Sequence, residues 1–324
     1  MKSIEECRSF GASRRRLVRG LALAASLLAA AVAPAAADVL LPDFAPFPES
    51  VTSTRAGTLY SSSISDGGVV RVRPGSSEAE AFIKPGEGET RSTFGVLADE
   101  KTNTLWVCSN DASFIGLPGP SKVEGSYLKG FDLETGALKV SAPAPHKPSI
   151  CNDIALLPDG TAIVSNVAQP ELLRLKPGGE KLEVWLADPA LKGGVDGLAF
   201  GPDGNLYVNT FNSGEFFRVD VVDGEAKKLT KLETSRPLTH PDGMRPYGSG
   251  FLMVEGAGPL SRVTISGDRA NVETIKDFVG PTGVTLVGDT AWVCEGQLGY
   301  LFNPELKGKP RPQFHLRALP LEKK

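Results

Sequence analysis

The sequence predicts an all-β chain folded as a six-bladed β-propeller with four-stranded antiparallel blades. Three observations carry that expectation. A short element, clearest as "DGLAF" (Asp196–Phe200), recurs with drift along the chain. Strand-like apolar runs follow each copy, separated by Gly, Pro and Asp-Gly turn signals. No stretch after the first 37 residues shows the period of an amphipathic helix.

Residues 1–37 read as a signal peptide and are excluded from the fold. Arg14, Arg15, Arg16 and Arg19 make a basic region, Leu21–Ala33 is a short apolar run, and Ala35-Ala36-Ala37 is a small-residue cleavage site. The apolar run falls short of the ~20 residues a bilayer span needs. "SRRRLV" (Ser13–Val18) resembles the twin-arginine export motif, the alternative being a general secretory signal with extra arginines. The expected partner is therefore the twin-arginine export machinery. The mature chain, 38–324, is expected in the periplasm or secreted, with no stable membrane insertion after cleavage.

The full chain carries a formal net charge of −3, and removing the basic prefix makes the remainder more acidic. No basic block remains, so nucleic acid and anionic membrane are not expected partners. Cys108, Cys151 and Cys294 remain after cleavage, an odd number. Buried free thiols are the preferred reading. One disulfide is the alternative in an oxidising compartment, its pairing open.

The repeat can be aligned on the apolar third residue of each copy: Val51, Val96, Ile154, Leu198, Met244 and Val284. The residue before it is small or turn-forming: Ser50, Gly95, Asp153, Gly197, Gly243 and Gly283. The first position is then Glu49, Phe94, Asn152, Asp196, Asp242 and Thr282. Second strands follow as "TLYSSS", "TLWVCSN", "TAIVSN", "NLYVNT", "FLMVEG" and "AWVCEG". Third strands include "ELLRLKPGG", "EFFRVDVVDG" and, in the last unit, "GYLFNPELKG". A weaker fourth strand, such as "KLEVWLAD", completes a unit of roughly 45 residues. Val39–Phe47 and Gln313–Leu321 are expected to supply outer strands of the last blade. Such closure removes an exposed sheet edge.

In a propeller the first strand of every blade lines the axis. Glu49, Asn152, Asp196 and Asp242 should therefore converge as three carboxylates and a carboxamide. Such a cluster is costly unpaired, and a divalent cation with oxygen ligands relieves it. Asp159-Gly160 and Asp203-Gly204 lie between apolar runs and belong to hairpin turns. The ends of second strands, including Asn209 and Glu295, should lie near the ring, as should His146 and His240. Phe94 should pack at the axis or under a substrate. The insertion Ser109–Ser126 should overhang the same face as a lid.

The segments "PES" (Glu49), "CNDIALLPDG" (Asn152), "VDGLAFGPDGNLYV" (Asp196) and "HPDGM" (Asp242) resemble the senescence-marker-protein/gluconolactonase family, which includes regucalcin. The resemblance implies one divalent metal, calcium or zinc, held by Glu49, Asn152, Asp196 and Asp242. It implies hydrolysis of a lactone or ester, with Asp242 as catalytic acid/base as well as ligand. Asp196 departs from the pattern, since the family usually has Asn there. "NDI" (Asn152–Ile154) is also similar to the related paraoxonases, which implies a supporting role for Asp153. His240 could tune Asp242. The alternative is a non-catalytic periplasmic propeller that binds a protein or small ligand. Strictosidine-synthase-like chemistry is disfavoured by the joint presence of Glu49, Asn152 and Asp242. There is no G-x-S-x-G, and the three histidines show no nucleophile pairing.

Overall fold

The apolar runs pair into six antiparallel sheets arranged as the blades of a propeller in this computed structural model, which describes residues 37–306 and 308–322. The proposed signal peptide lies, apart from Ala37, outside the described residues. No helix among the described residues is long and apolar enough to cross a membrane.

Blade four shows the construction. Its strands are β1 (Val195–Phe200), β2 (Leu206–Thr210), β3 (Glu215–Val222) and β4 (Glu225–Lys231), paired in that order. Side chains alternate across a strand. In β2, Leu206 and Val208 therefore pack towards blade three, against Ile163 and Leu172, while Tyr207 packs towards blade five, against Met244 and Phe251. Asn209 shares the Tyr207 side, and that parity decides its role at the axis. The Asp203-Gly204 pair makes the tight turn before β2, with Gly204 at φ 79°.

Five blades have four strands, and blade five carries an extra two-residue strand, Glu233–Thr234, parallel to Arg269–Asp277. Blade six closes the ring as expected: Val39–Leu40 pairs with His315–Pro320 outside Thr290–Glu295 and Pro281–Val287. The expected strand at Gly299–Gly308 is not one. Gly299–Phe302 is a single helical turn and Pro304–Leu306 a 3-10 turn. The C-terminal segment already fills the third place in the sheet, so this stretch is left as an insertion. Pro304, Pro310 and Pro312 lack the N–H a ladder needs.

The cysteine expectation is corrected. Cys108 and Cys151 are disulfide-bonded with Cα atoms 5.2 Å apart, and among the described residues only Cys294 is free, buried in blade six. Cys108 lies on the second strand of blade two and Cys151 on the first strand of blade three. The pairing follows from blade adjacency, which cysteine spacing alone does not encode.

Candidate active site at the propeller axis

The ring positions are set by irregularities in the inner strands. Ladder pairing breaks between Thr93 and Val96, Cys151 and Ile154, Val195 and Leu198, and Pro241 and Met244. The two residues released each time are Phe94-Gly95, Asn152-Asp153, Asp196-Gly197 and Asp242-Gly243. A bulge of this kind re-aims side chains. The small second residue has a packing reason. A Cβ on Gly95 would fall 1.8 Å from the Asn152 carbonyl oxygen, and one on Gly197 would fall 2.1 Å from that of Asp242. The Asn152 and Asp242 carbonyls thus sit against the glycine of the preceding blade.

Glu49, Asn152, Asp196 and Asp242 are all buried. Burial first, then the Asp196 and Asp153 carboxylates, pushes Glu49 well above the usual carboxylate range, against the pull of Arg245. Burial likewise raises Asp242, with Asp196 and Glu49 adding to the effect. Burial raises Asp196 to about 7, while its interactions with the Asp242 carboxyl and Asn152 amide hold it down. Glu49 Oε2, Asn152 Oδ1 and Asp196 Oδ1 are buried oxygens with no hydrogen-bond partner. Such orphaned acceptors are costly. Among the described residues, no three His, Cys, Asp or Glu side chains are spaced to form a metal-binding group. By donor chemistry the orphaned carboxylate and amide oxygens fit a hard divalent cation.

Asp153 stands where four other blades have glycine. Its buried carboxylate accepts from Arg245 Nη1 at 3.0 and 2.8 Å and from the Leu198 N–H at 3.2 Å. Arg245 was not anticipated. Its signal is visible in the repeat, since "DGMRP" carries a cation where the other units have Thr52, Leu97, Ala155, Ala199 and Thr285.

The remaining candidates divide. Asn209 accepts from Gly197 N at 3.0 Å and donates to the Asp242 carbonyl at 2.8 Å, so its amide is spent on holding the ring. Glu295 accepts from Val279 N at 2.9 Å and Arg317 Nε at 2.7 Å and is buried. Phe94 belongs to the hydrophobic core. His146 Nε2 pairs with Glu171 Oε1 at 2.8 Å. The insertion expected as a lid is strapped down: Arg91 donates to the carbonyls of Pro118 and Val123 at 2.9 and 2.8 Å and pairs with Asp111 at 3.0 Å.

His240 differs from these. Its backbone is left-handed, φ 53°, and Gly194 and Gly280 occupy the equivalent places two residues before Asp196 and Thr282. A side chain there is strained, and such strain concentrates at functional sites. The ring stacks on Phe211 at 4.8 Å. His240, Phe211 and Asp242 line a cavity of about 560 Å³, together with residues of the blade-six insertion.

No protein-family model matches the chain, and no curated protein does. Solved structures do. A gluconolactonase from Xanthomonas campestris superposes with TM-score 0.60 at 16% identity, over 89% of this chain and 99% of that one. Its structural neighbours include gluconolactonases. They are not alone. A catalytically inactive virginiamycin B lyase from Staphylococcus aureus, solved with quinupristin, gives TM-score 0.56 at 14% identity, covering 87% and 98% of the two chains. A PQQ-bound aldose sugar dehydrogenase from Streptomyces coelicolor gives 0.58 at 12%, covering 87% and 97%. The likeness establishes the propeller fold, a scaffold that carries several chemistries.

Proposed function

We propose that the protein is an exported, metal-dependent hydrolase of lactones or related esters. One observation carries the reading: Asp242 belongs both to the buried acid–amide ring and to the wall of the cavity. A carbonyl group lodged in that cavity would meet the ring's acid directly. The gluconolactonase neighbours support the same reaction class. The Cys108–Cys151 disulfide suits an oxidising compartment after export.

Glu49, Asn152, Asp196 and Asp242 would hold the cation, with calcium or zinc the candidates from donor type. When bound, such an ion supplies Lewis-acid polarisation and lowers the pKa of water. The chain's own residues do the rest. Asp242 takes a proton from the water that adds to the carbonyl carbon. The bond to the ring oxygen breaks, and that oxygen receives the proton, giving a hydroxy acid. Asn209 fixes the Asp242 backbone while this happens. Asp153 and Arg245 maintain the charge balance beside the ring.

The test is hydrolysis of a lactone panel by residues 38–324, stripped of metal and reloaded with calcium, zinc or manganese. Metal-dependent turnover that disappears in Asp242→Ala is the expected result. A folded protein inactive with every metal would overturn the reading in favour of a non-catalytic binding propeller.

A further inference from the structure

The cavity beside Asp242 has a character of its own. Its outer wall is the blade-six insertion, with Leu298, Tyr300, Phe302 and Leu306. Phe211 and Val279 contribute from the other side. Val279 is 61% exposed and Phe302 46% exposed, so two exposed apolar side chains lie on this one cavity. Apolar groups gathered at a cavity mouth mark a binding site more often than chance exposure does.

Several polar side chains in the same wall are partly committed to protein partners, and Thr282 Oγ1 donates to the Pro48 carbonyl at 2.9 Å. Gln297 donates to the Gln313 carbonyl at 3.3 Å, and Asn303 accepts from Glu305 N at 2.9 Å. His240 lies flat on Phe211. Among the described residues no Lys or Arg lines the cavity. A polyhydroxylated ring buried here would lose more water than the few uncommitted polar atoms of the wall replace. A hydrocarbon group would lose nothing and remove apolar wall from water.

We infer that this cavity is the subsite for an apolar alkyl or aryl substituent on the substrate, so that the preferred lactones are hydrophobic rather than sugar-derived. The inference rests on the hydrolase reading for its substrate. Its binding half is independent of turnover. The cavity volume suits a medium-length chain or one aromatic ring next to the carbonyl.

The test has two arms. In the first, an octyl-substituted γ-lactam and its unsubstituted parent, both inert to hydrolysis, are titrated calorimetrically into metal-free protein. The octyl compound is expected to bind at least tenfold more tightly. Val279→Asp and, separately, Phe302→Ser are expected to reduce that ratio severalfold. Both positions are exposed, so the fold should survive either change. Equal binding of the two lactams overturns the inference, as does a preference that persists undiminished in both variants. In the second arm, kcat/KM is compared for octyl-γ-lactone, γ-butyrolactone and glucono-δ-lactone with metal-loaded protein. The alkyl lactone should lead, and its lead should shrink in both variants. Preference for the sugar lactone overturns the inference and leaves the hydrolase reading standing. Selective lactam binding without turnover of any lactone supports the subsite and removes the hydrolase reading.

Discussion

Arg245 and Asp153, from the inner strands of blades five and three, form a buried ion pair at 2.8 Å beside the acid ring. The pair joins two blades that are not neighbours, with blade four between them. Removing one partner leaves the other charged and buried. Arg245→Met should therefore cost about 3–5 kcal/mol of stability. Asp153→Asn alone should also destabilise, and the double variant should recover part of the loss. Urea unfolding of all four proteins, read as a double-mutant cycle, checks this. Additive losses would mean that the two charges are not coupled.

Asn209 is the second cross-blade tie. Its amide bonds the backbone of Gly197 in blade four and of Asp242 in blade five. Asn209→Ala strands a buried N–H and a buried carbonyl, at a cost of about 1–3 kcal/mol each. The same change loosens the Asp242 backbone. The expected outcome is a clear fall in thermal midpoint, with a larger proportional drop in kcat than in KM. A variant that loses stability but keeps full kcat would separate the tie from the chemistry.

The ring acids predict how the metal-free protein responds to pH. Asp196 is raised from its ordinary 3.8 to about 7, and Glu49 and Asp242 are raised as well. In the unfolded chain these groups lose their protons first, so the folded state holds more protons across the interval. Stability should then be greatest at or below pH 4 and fall as pH rises to about 7 and beyond. The three carboxyls titrate as a group, so one broad transition is expected. Calcium or zinc binds the deprotonated ring and should restore stability most strongly above pH 7. Thermal melts across pH, with chelator and with each ion, measure both effects. A metal-free midpoint that rises steadily from pH 4 to 8 would contradict the assignment.

The disulfide closes a loop with a sequence separation of 43. It also anchors Cys151, the residue before Asn152 in the ring. Replacing Cys108 and Cys151 together by Ser should cost about 2–4 kcal/mol. Cys294 is a different thiol, buried and pushed up to about 12 chiefly by burial. In residues 38–324, a maleimide should label no thiol in the native state, one after denaturation, and two more after reduction. Mass spectrometry counts the adducts, and rapid native labelling would place Cys294 at the surface.

The blades were legible because the repeat couples local pattern to global position. The apolar third residue fixes the inner strand, and the Asp-Gly turns at 203–204 punctuate the next. The shared burial of Glu49, Asn152, Asp196 and Asp242 was legible for the same reason, since equivalent positions in a closed ring lie near one axis. The functions of Asn209 and Glu295 were not, because proximity to the ring does not reveal which way an amide or carboxylate is already committed. The Cys108–Cys151 bond and the Arg245–Asp153 pair each join different blades, and no spacing within one repeat encodes such a contact. The blade-six insertion misled for a further reason. "GYLF" reads as a strand until the C-terminal strand is seen to occupy its place in the sheet.

Asp196 gives the sharpest test of the ring's charge. Asp196→Asn keeps the shape and an oxygen donor while removing one of three crowded buried carboxyls. The metal-free protein should then be more stable than the parent above pH 7, where the parent carries the full cost of ionising that group, and the gain should fade towards pH 4. The same change removes a negative charge from the proposed ligand set, so the cation should dissociate more readily, by about tenfold or more. A cation facing fewer negative ligands withdraws electrons from a carbonyl more strongly, so kcat at saturating metal should hold or rise. Metal titration followed by melting, together with kcat at saturating ion, reads the two effects separately. Tighter metal binding in Asp196→Asn would mean that Asp196 opposes the ion rather than holding it, and the ligand set would have to be rebuilt without it.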